Sequence, residues 1–191
     1  IDNWYVKNKQ QLQEQYNKYL QIIQDKYNAL NKPSADNTNT NTNTKPSADT
    51  NKKACLIGIN YTNTENELQG CVNDVMNLKK MLETKYKYKP TDITTVINEE
   101  ATRNRILQEF ASLLKNANAG DNLFFSYSGH GTYTIDKSGE EIDGKDELLV
   151  SVDNYAIFDD ELKQILDAYL KPNVKLFALF DNCHSGTILD L

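Results

Sequence analysis

Cysteine is scarce in this sequence, with three in 191 residues, at Cys55, Cys71 and Cys183. So small and odd a set is no disulfide framework, which excludes a stapled secreted module and leads us to expect a reducing, intracellular and cytoplasmic setting. Histidine is scarcer, at His130 and His184 alone, and no Cys/His cluster has ligand spacing, so zinc is not expected. No apolar run approaches the roughly 18–20 residues of a membrane span, and no charged-then-apolar signal opens the chain. Basic residues are outnumbered, 21 Lys and Arg against 27 Asp and Glu, for a net charge of −6. Nucleic acid is therefore not an expected partner, since phosphate binding needs a basic face. A basic substrate or a bound cation suits that charge better. Apolar residues are also few, at 39% with a mean hydropathy of −0.66, so part of the chain should be unpacked.

That part is easy to find. Residues 1–31 carry Leu12, Tyr16, Tyr19, Leu20, Ile23, Tyr27 and Leu30 at spacings of three and four, an amphipathic helix. It suits either a short coiled coil or docking helix, or a helix covering its own domain. Residues 32–52 hold an alternating Asn/Thr tract between two copies of Lys-Pro-Ser-Ala-Asp, at 32–36 and 45–49. Such a tract has no apolar side chain whose burial would offset the entropy of ordering it, and it reads as a disordered linker. The folded domain is then 53–191, long enough for a real core.

Within it, apolar runs alternate with helical patterns. Ala54–Ile59 is a strand apolar on both faces, and Cys55 within it reads as a core residue. Val72, Val75, Met76, Leu78, Met81 and Leu82 mark a helix ending before Pro90. Residues 92–97 form a second strand and 101–114 a second helix; 123–127 form a third strand, opening into a long polar excursion. Residues 147–152 form a short strand or hairpin arm, 158–170 a third helix, and 174–180 a fourth strand. Strands alternating with helices mean βαβ units and a mainly parallel sheet.

Two strands end in reactive tips. Leu176-Phe177-Ala178-Leu179-Phe180 reads as a buried central strand running into Asp181-Asn182-Cys183-His184-Ser185-Gly186, and Leu123-Phe124-Phe125 runs into Ser126-Tyr127-Ser128-Gly129-His130-Gly131. Open α/β sheets carry their chemistry beyond the carboxyl ends of the strands. A thiol and an imidazole delivered there are the parts of a cysteine nucleophile and its base. His130 would take the proton of Cys183 and later protonate the leaving amine, with the N–H groups of Gly131 and Cys183 facing the oxyanion. Singly, a loop histidine and a buried thiol are the plain alternatives; as a pair they point to catalysis. The acids of 136–147 lack the spacing of an EF-hand loop, and Asp159 and Asp160 also suit a helix start.

Together, Tyr127-Ser128-Gly129-His130-Gly131 and Asp181-Asn182-Cys183-His184-Ser185-Gly186 resemble the caspase-like cysteine peptidases, and the metacaspases among them. The likeness covers 53–191, the large-subunit region. It implies a caspase-like α/β fold, a mainly parallel sheet flanked by helices and incomplete at its C-terminal end, with a small-subunit chain or domain to complete it. It implies a calcium-dependent endopeptidase cutting protein or peptide substrates after Arg or Lys. Leu68-Gln69-Gly70-Cys71-Val72-Asn73-Asp74 resembles the segment whose acid lines a basic-residue pocket, which implicates Asp74, Asp181 as its partner, and Ser128 with them. The carboxylates that match the family's calcium ligands are Asp146, Asp159, Asp160 and Asp190. The rival class is a non-enzymatic interaction module, or an inactive fragment without the small-subunit region.

The thiol assignment is directly testable. Cys183→Ala is expected to abolish both turnover and labelling by a thiol-directed peptide inhibitor, while Cys55→Ser and Cys71→Ser keep the label. Turnover that survives in Cys183→Ala removes Cys183 as the nucleophile.

Overall fold

The computed structural model describes residues 51–135 and 145–182, with the backbone alone at 135, 145 and 146. The expected helix at 1–31, nearly all of the expected linker at 32–52, and Cys183 with the residues after it lie outside the described residues.

The apolar run Ala54-Cys55-Leu56-Ile57 forms β1 (Lys52–Gly58), whose residues 54–58 are all buried. A strand apolar on both faces belongs inside a sheet covered on both sides. It pairs in parallel with β2 (Ile93–Ile97) on one side and β3 (Asn122–Ser128) on the other. Beyond β3 lies β7 (Lys175–Asp181), also parallel, giving the order β2-β1-β3-β7 among the described residues. Parallel neighbours need crossovers. The chain supplies them with α1 (Cys71–Thr84) between β1 and β2 and α2 (Arg103–Lys115) between β2 and β3, and with α3 (Asp159–Tyr169) ahead of β7. Between β3 and α3 is a separate antiparallel sheet of β4 (Gly131–Ile135), β5 (Lys145–Val150) and β6 (Ala156–Phe158).

Alternation along the strands sorts the core into two layers. Ala54 and Leu56 of β1 join Val75 and Leu82 of α1, with Leu78 and Phe124 packed against them. Phe125 faces the other way, its ring 4.7 Å from that of Phe110 on α2. Gly58 sets how closely α1 lies on the sheet. A Cβ there would sit 2.8 Å from Val75 Cγ2 and 2.9 Å from the Cys71 carbonyl oxygen, so any larger residue would push the helix away.

The start of α2 is fixed by a buried ion pair that hydrophobic patterning does not reveal. Arg103 and Glu161 are 6% and 0% exposed and pair directly through Nη2 and Oε1. Arg103 Nε donates to the Ala156 carbonyl at 2.9 Å, and its backbone N–H donates to Asp153 Oδ1 at 2.9 Å. Glu161 also accepts the Phe158 N–H at 3.1 Å, closing the first turn of α3. One pair thus joins two helix starts and the short strand β6.

Two expectations change. The Leu176–Phe180 run does form a strand, but β7 is the edge of the described sheet rather than its centre. Its residues alternate between half-buried and exposed, with Phe177 60% and Leu179 41% exposed. A run of apolar residues shows that both faces are suited to burial, not that this segment of chain covers both. The polar excursion after His130 begins as strand β4, where Gly131-Thr132-Tyr133-Thr134-Ile135 pairs with β5.

Burial pushes the Glu161 carboxyl above its ordinary 4.5, with Arg103 acting against the rise. Arg103→Met should destabilise the fold by about 3–5 kcal/mol, because it strands a buried charge. A carboxyl whose folded pKa is raised binds its proton more tightly when folded, so its contribution to stability falls as pH climbs from 4.5 through the raised value. Loss of Arg103 raises it further, so the variant's deficit should be smaller at pH about 5 than at pH about 8. Denaturant unfolding at the two values checks this, and a deficit independent of pH would remove the charge from the explanation.

Candidate active site

The histidine tip is the turn from β3 into β4. Ser128 ends the strand, Gly129 is buried, and His130 is half-buried just before Gly131 opens β4 opposite Leu149. His130 Nε2 lies 2.6 Å from the carbonyl oxygen of Asn66. A carbonyl only accepts, so Nε2 carries the hydrogen and Nδ1 is left as the basic nitrogen of the neutral ring. Tyr61 packs against the imidazole, with ring centroids 4.6 Å apart and planes tilted by 44°.

Both contacts come from the loop between β1 and α1, which is built to hold its shape. Its first N–H, at Ile59, extends the sheet by donating to the Ser128 carbonyl at 3.0 Å. Asn60 then ties three segments together. Its N–H donates to Asn98 Oδ1 at 3.0 Å, its carbonyl accepts from Leu68 N–H at 2.7 Å, and its side chain accepts from Val72 N–H at 3.2 Å. The last of these serves the start of α1, where Gly70 at the N-cap has no side chain to satisfy an orphan N–H.

On the α1 side of the sheet lies a cleft of about 290 Å³, lined by Asp74, Val75, Asn77, Leu78, Met81, Ser126, Ser128, Leu179 and Asp181. The three residues expected to bind substrate, Asp74, Ser128 and Asp181, therefore share one cavity. Asp74 stands in the first turn of α1, while Ser128 and Asp181 are register partners at the ends of β3 and β7. Ser128 Oγ donates to Asp181 Oδ2 at 3.3 Å, and Gly129 N–H to the Asp181 carbonyl at 3.4 Å. Both aspartates are exposed, whereas Ser126 and Ser128 are buried. The cleft thus carries two open carboxylates, buried serine oxygens and apolar walls from Leu78, Met81 and Leu179. Such a lining favours a cationic group over an anionic one.

The expected metal ligands divide differently. Asp159 and Asp160 form the first turn of α3, and Asp159 Oδ1 accepts the Asp160 N–H at 2.8 Å. Leu148 pairs with Phe158 across β5 and β6, so the backbone of Asp146 stands at the same end of these strands as the Asp159–Asp160 turn. The side chain of Asp146, and all of Asp190, lie outside the described residues, as does Cys183. Among the described residues no three His, Cys, Asp or Glu side chains gather as a metal cluster. Cys55 is 1% exposed, and burial pushes its thiol up to about 12, as suits a core residue.

Sequence reading passed over three participants: the Asn66 carbonyl and the hydroxyls of Tyr61 and Tyr127. A backbone acceptor leaves no mark in a sequence. Tyr61 stood in no motif read from the sequence, and Tyr127 opened the histidine motif with no role given to its hydroxyl. The available signal was chemical, since a phenol at the buried end of a core strand must find a partner for its hydroxyl.

With this geometry in view, the chain can be set against known proteins. Residues 52–191 match the family model described as metacaspase, peptidase C14 domain. Metacaspase-1 of Schizosaccharomyces pombe is 48% identical over 149 residues, covering 73% of this chain and 35% of that protein. Metacaspase-1 of Kluyveromyces lactis is 44% identical over 150 residues, covering 73% of this chain and 34% of that protein. The chain thus spans about a third of the length of these relatives. The crystal structure of protein GSU0716 from Geobacter sulfurreducens is similar with a TM-score of 0.59 and 28% identity, covering 72% of this chain and 52% of that one.

Proposed function

We propose, for a chain that belongs to the metacaspase peptidase C14 family, that residues 52–191 carry the reactive part of a cysteine endopeptidase that cleaves after Arg or Lys. The observation that carries this reading is the cleft of Asp74, Ser128 and Asp181 beside the β3–β4 turn that bears His130. A basic side chain in the cleft would meet two carboxylates while the peptide bond after it lies toward the histidine turn.

Cys183 follows β7 by two residues and would act as the nucleophile. A free thiol has a pKa of about 8.5, so only a minor fraction is thiolate at neutral pH without help. His130 Nδ1 would take the thiol proton as sulfur attacks the carbonyl carbon, the Nε2–H keeping its bond to the Asn66 carbonyl as the ring becomes charged. The same nitrogen would then protonate the leaving amine, and water would release the acyl group. The N–H groups of Gly131 and Cys183 are the proposed donors to the oxyanion. Among the described residues β7 is the edge of the sheet, which supports a further segment or chain that adds strands there, as the small subunit expected from the sequence would.

Calcium is part of the proposal. Asp146 on β5 and Asp159 and Asp160 at the start of α3 have the oxygen chemistry this hard cation prefers, and their shared end of the β5–β6 ladder suits a common site with Asp190. Bound calcium would neutralise carboxylates that otherwise repel, and the segment following Cys183 would then be held in order.

Hydrolysis of peptides ending in Arg, Lys or Asp, with and without calcium, tests this in the full-length protein. Asp74→Ala and Asp181→Ala should each lower kcat/KM on Arg peptides tenfold or more, about 1.4 kcal/mol of transition-state binding. A preference for Asp before the scissile bond would overturn the pocket assignment. In a calcium titration, Asp159→Ala/Asp160→Ala should move the midpoint to higher calcium, with magnesium a poor substitute. Full activity in chelator, or an unmoved midpoint, would take the cation out of the mechanism.

A further inference from the structure

His130 is held through its backbone as well as its ring. Its N–H donates to the hydroxyl of Tyr61 at 3.0 Å. Its carbonyl accepts from the hydroxyl of Tyr127 at 2.9 Å and from Val150 N–H at 3.0 Å. The two hydroxyls are 3.1 Å apart, and both reach the Val150 carbonyl. One assignment of the two hydroxyl hydrogens serves every group: the Tyr61 oxygen receives the His130 N–H and gives its own hydrogen to the Val150 carbonyl, and the Tyr127 hydrogen goes to the His130 carbonyl. Two phenols therefore satisfy the amide and the carbonyl of one residue, and fasten that residue to the end of β5.

The surroundings are shaped to this pair. Tyr61 and Tyr127 are 4% and 1% exposed, and burial pushes both phenols above the ordinary 10, so both remain protonated as the network needs. Tyr61 has a φ of 51°, a left-handed backbone uncommon for a bulky residue, and its carbonyl accepts from both the N–H and the hydroxyl of Thr64 at 3.2 and 2.7 Å. Gly129 leaves the space. A Cβ there would lie 2.7 Å from the Tyr127 oxygen and 3.0 Å from the Tyr61 oxygen. Ring packing alone would be met by phenylalanine at either position; the oxygens serve the turn.

We propose that Tyr61 and Tyr127 are positioning residues for His130, their hydroxyls acting as one clamp on its backbone that keeps Nε2 on the Asn66 carbonyl and leaves Nδ1 as the base. The catalytic consequence rests on the peptidase reading above; the state of the imidazole does not.

The test uses Tyr61→Phe, Tyr127→Phe, the double variant and Gly129→Ala in the full-length protein. The first readout needs no turnover. The chain has two histidines, so a His184→Gln background leaves His130 as the single signal in a spectrum of ¹⁵N-labelled imidazole. The parent should show the neutral Nε2–H tautomer with a protected proton, and each variant a mixture of tautomers. The second readout is hydrolysis, with kcat normalised to the fraction of thiol that a covalent inhibitor titrates. Each single variant should lose about tenfold or more in kcat with KM within about twofold, and the double little more than the worse single. Tyr61 lies in a loop, so Tyr61→Phe keeps the test open even if Tyr127→Phe fails to fold. A purely structural role would lower the titratable fraction and the melting temperature while leaving tautomer and normalised kcat as in the parent, and that result overturns the clamp without touching the peptidase reading. A parent that hydrolyses nothing, with the tautomer still disturbed in the variants, would sink the peptidase reading and uphold the clamp.

Discussion

Across β1, β3 and β7 the parallel ladder sets Gly58, Ser128 and Asp181 side by side in a single row. The rest of the site depends on that row. Because the strands run in parallel, all three finish at the same level, and the loops that follow leave from the same edge of the sheet. Gly58 at one end of the row allows α1 to lie close, which brings Asp74 in its first turn to the cleft that Asp181 borders from the other end. Ser128 in the middle joins the two halves, bonding Asp181 with its side chain and leading directly into the His130 turn. A slip of one residue between β3 and β7 would reverse which side chains face α1 and dismantle the cleft, so register here is a functional quantity.

The second support is polar and lies beneath the loops. Asn60, the Tyr61–Tyr127 pair and the Arg103–Glu161 pair each tie segments far apart in sequence. Each is satisfied by partners that no apolar pattern records. Buried networks of this kind fix one arrangement among several that the hydrophobic core alone would tolerate, since each unpaired alternative leaves a donor or acceptor stranded.

This division explains what was legible in the sequence. β1 and β3 announce themselves because Ala54–Ile57 and Leu123–Phe125 are apolar on both faces, and α1 and α2 because their apolar residues recur at helical spacing. Cys55 was read as core and is core. β6 went unread because three residues, Ala156–Phe158, are too few to carry a period. β4 went unread because its alternation of Thr with Tyr and Ile makes sense only beside β5, across the intervening loop. Asp74, Ser128 and Asp181 were named from the likeness of short motifs; that they share a cavity follows from the register and from Gly58. The hydroxyl pair over His130 joins positions 61, 127 and 150, and nothing local in any of the three segments predicts it.

The exposed face of β7 bears on how the molecule behaves outside its own chemistry. Phe177 stacks on Phe124 with centroids 5.1 Å apart yet remains mostly open, and Leu179 is open beside it. A strand that is apolar, and that has a neighbour on one side only among the described residues, is a template on which any extended apolar segment can register. Colloidal behaviour is thereby written into the same strand that leads to Cys183. A strand added along β7 would deny that template to other copies of this chain.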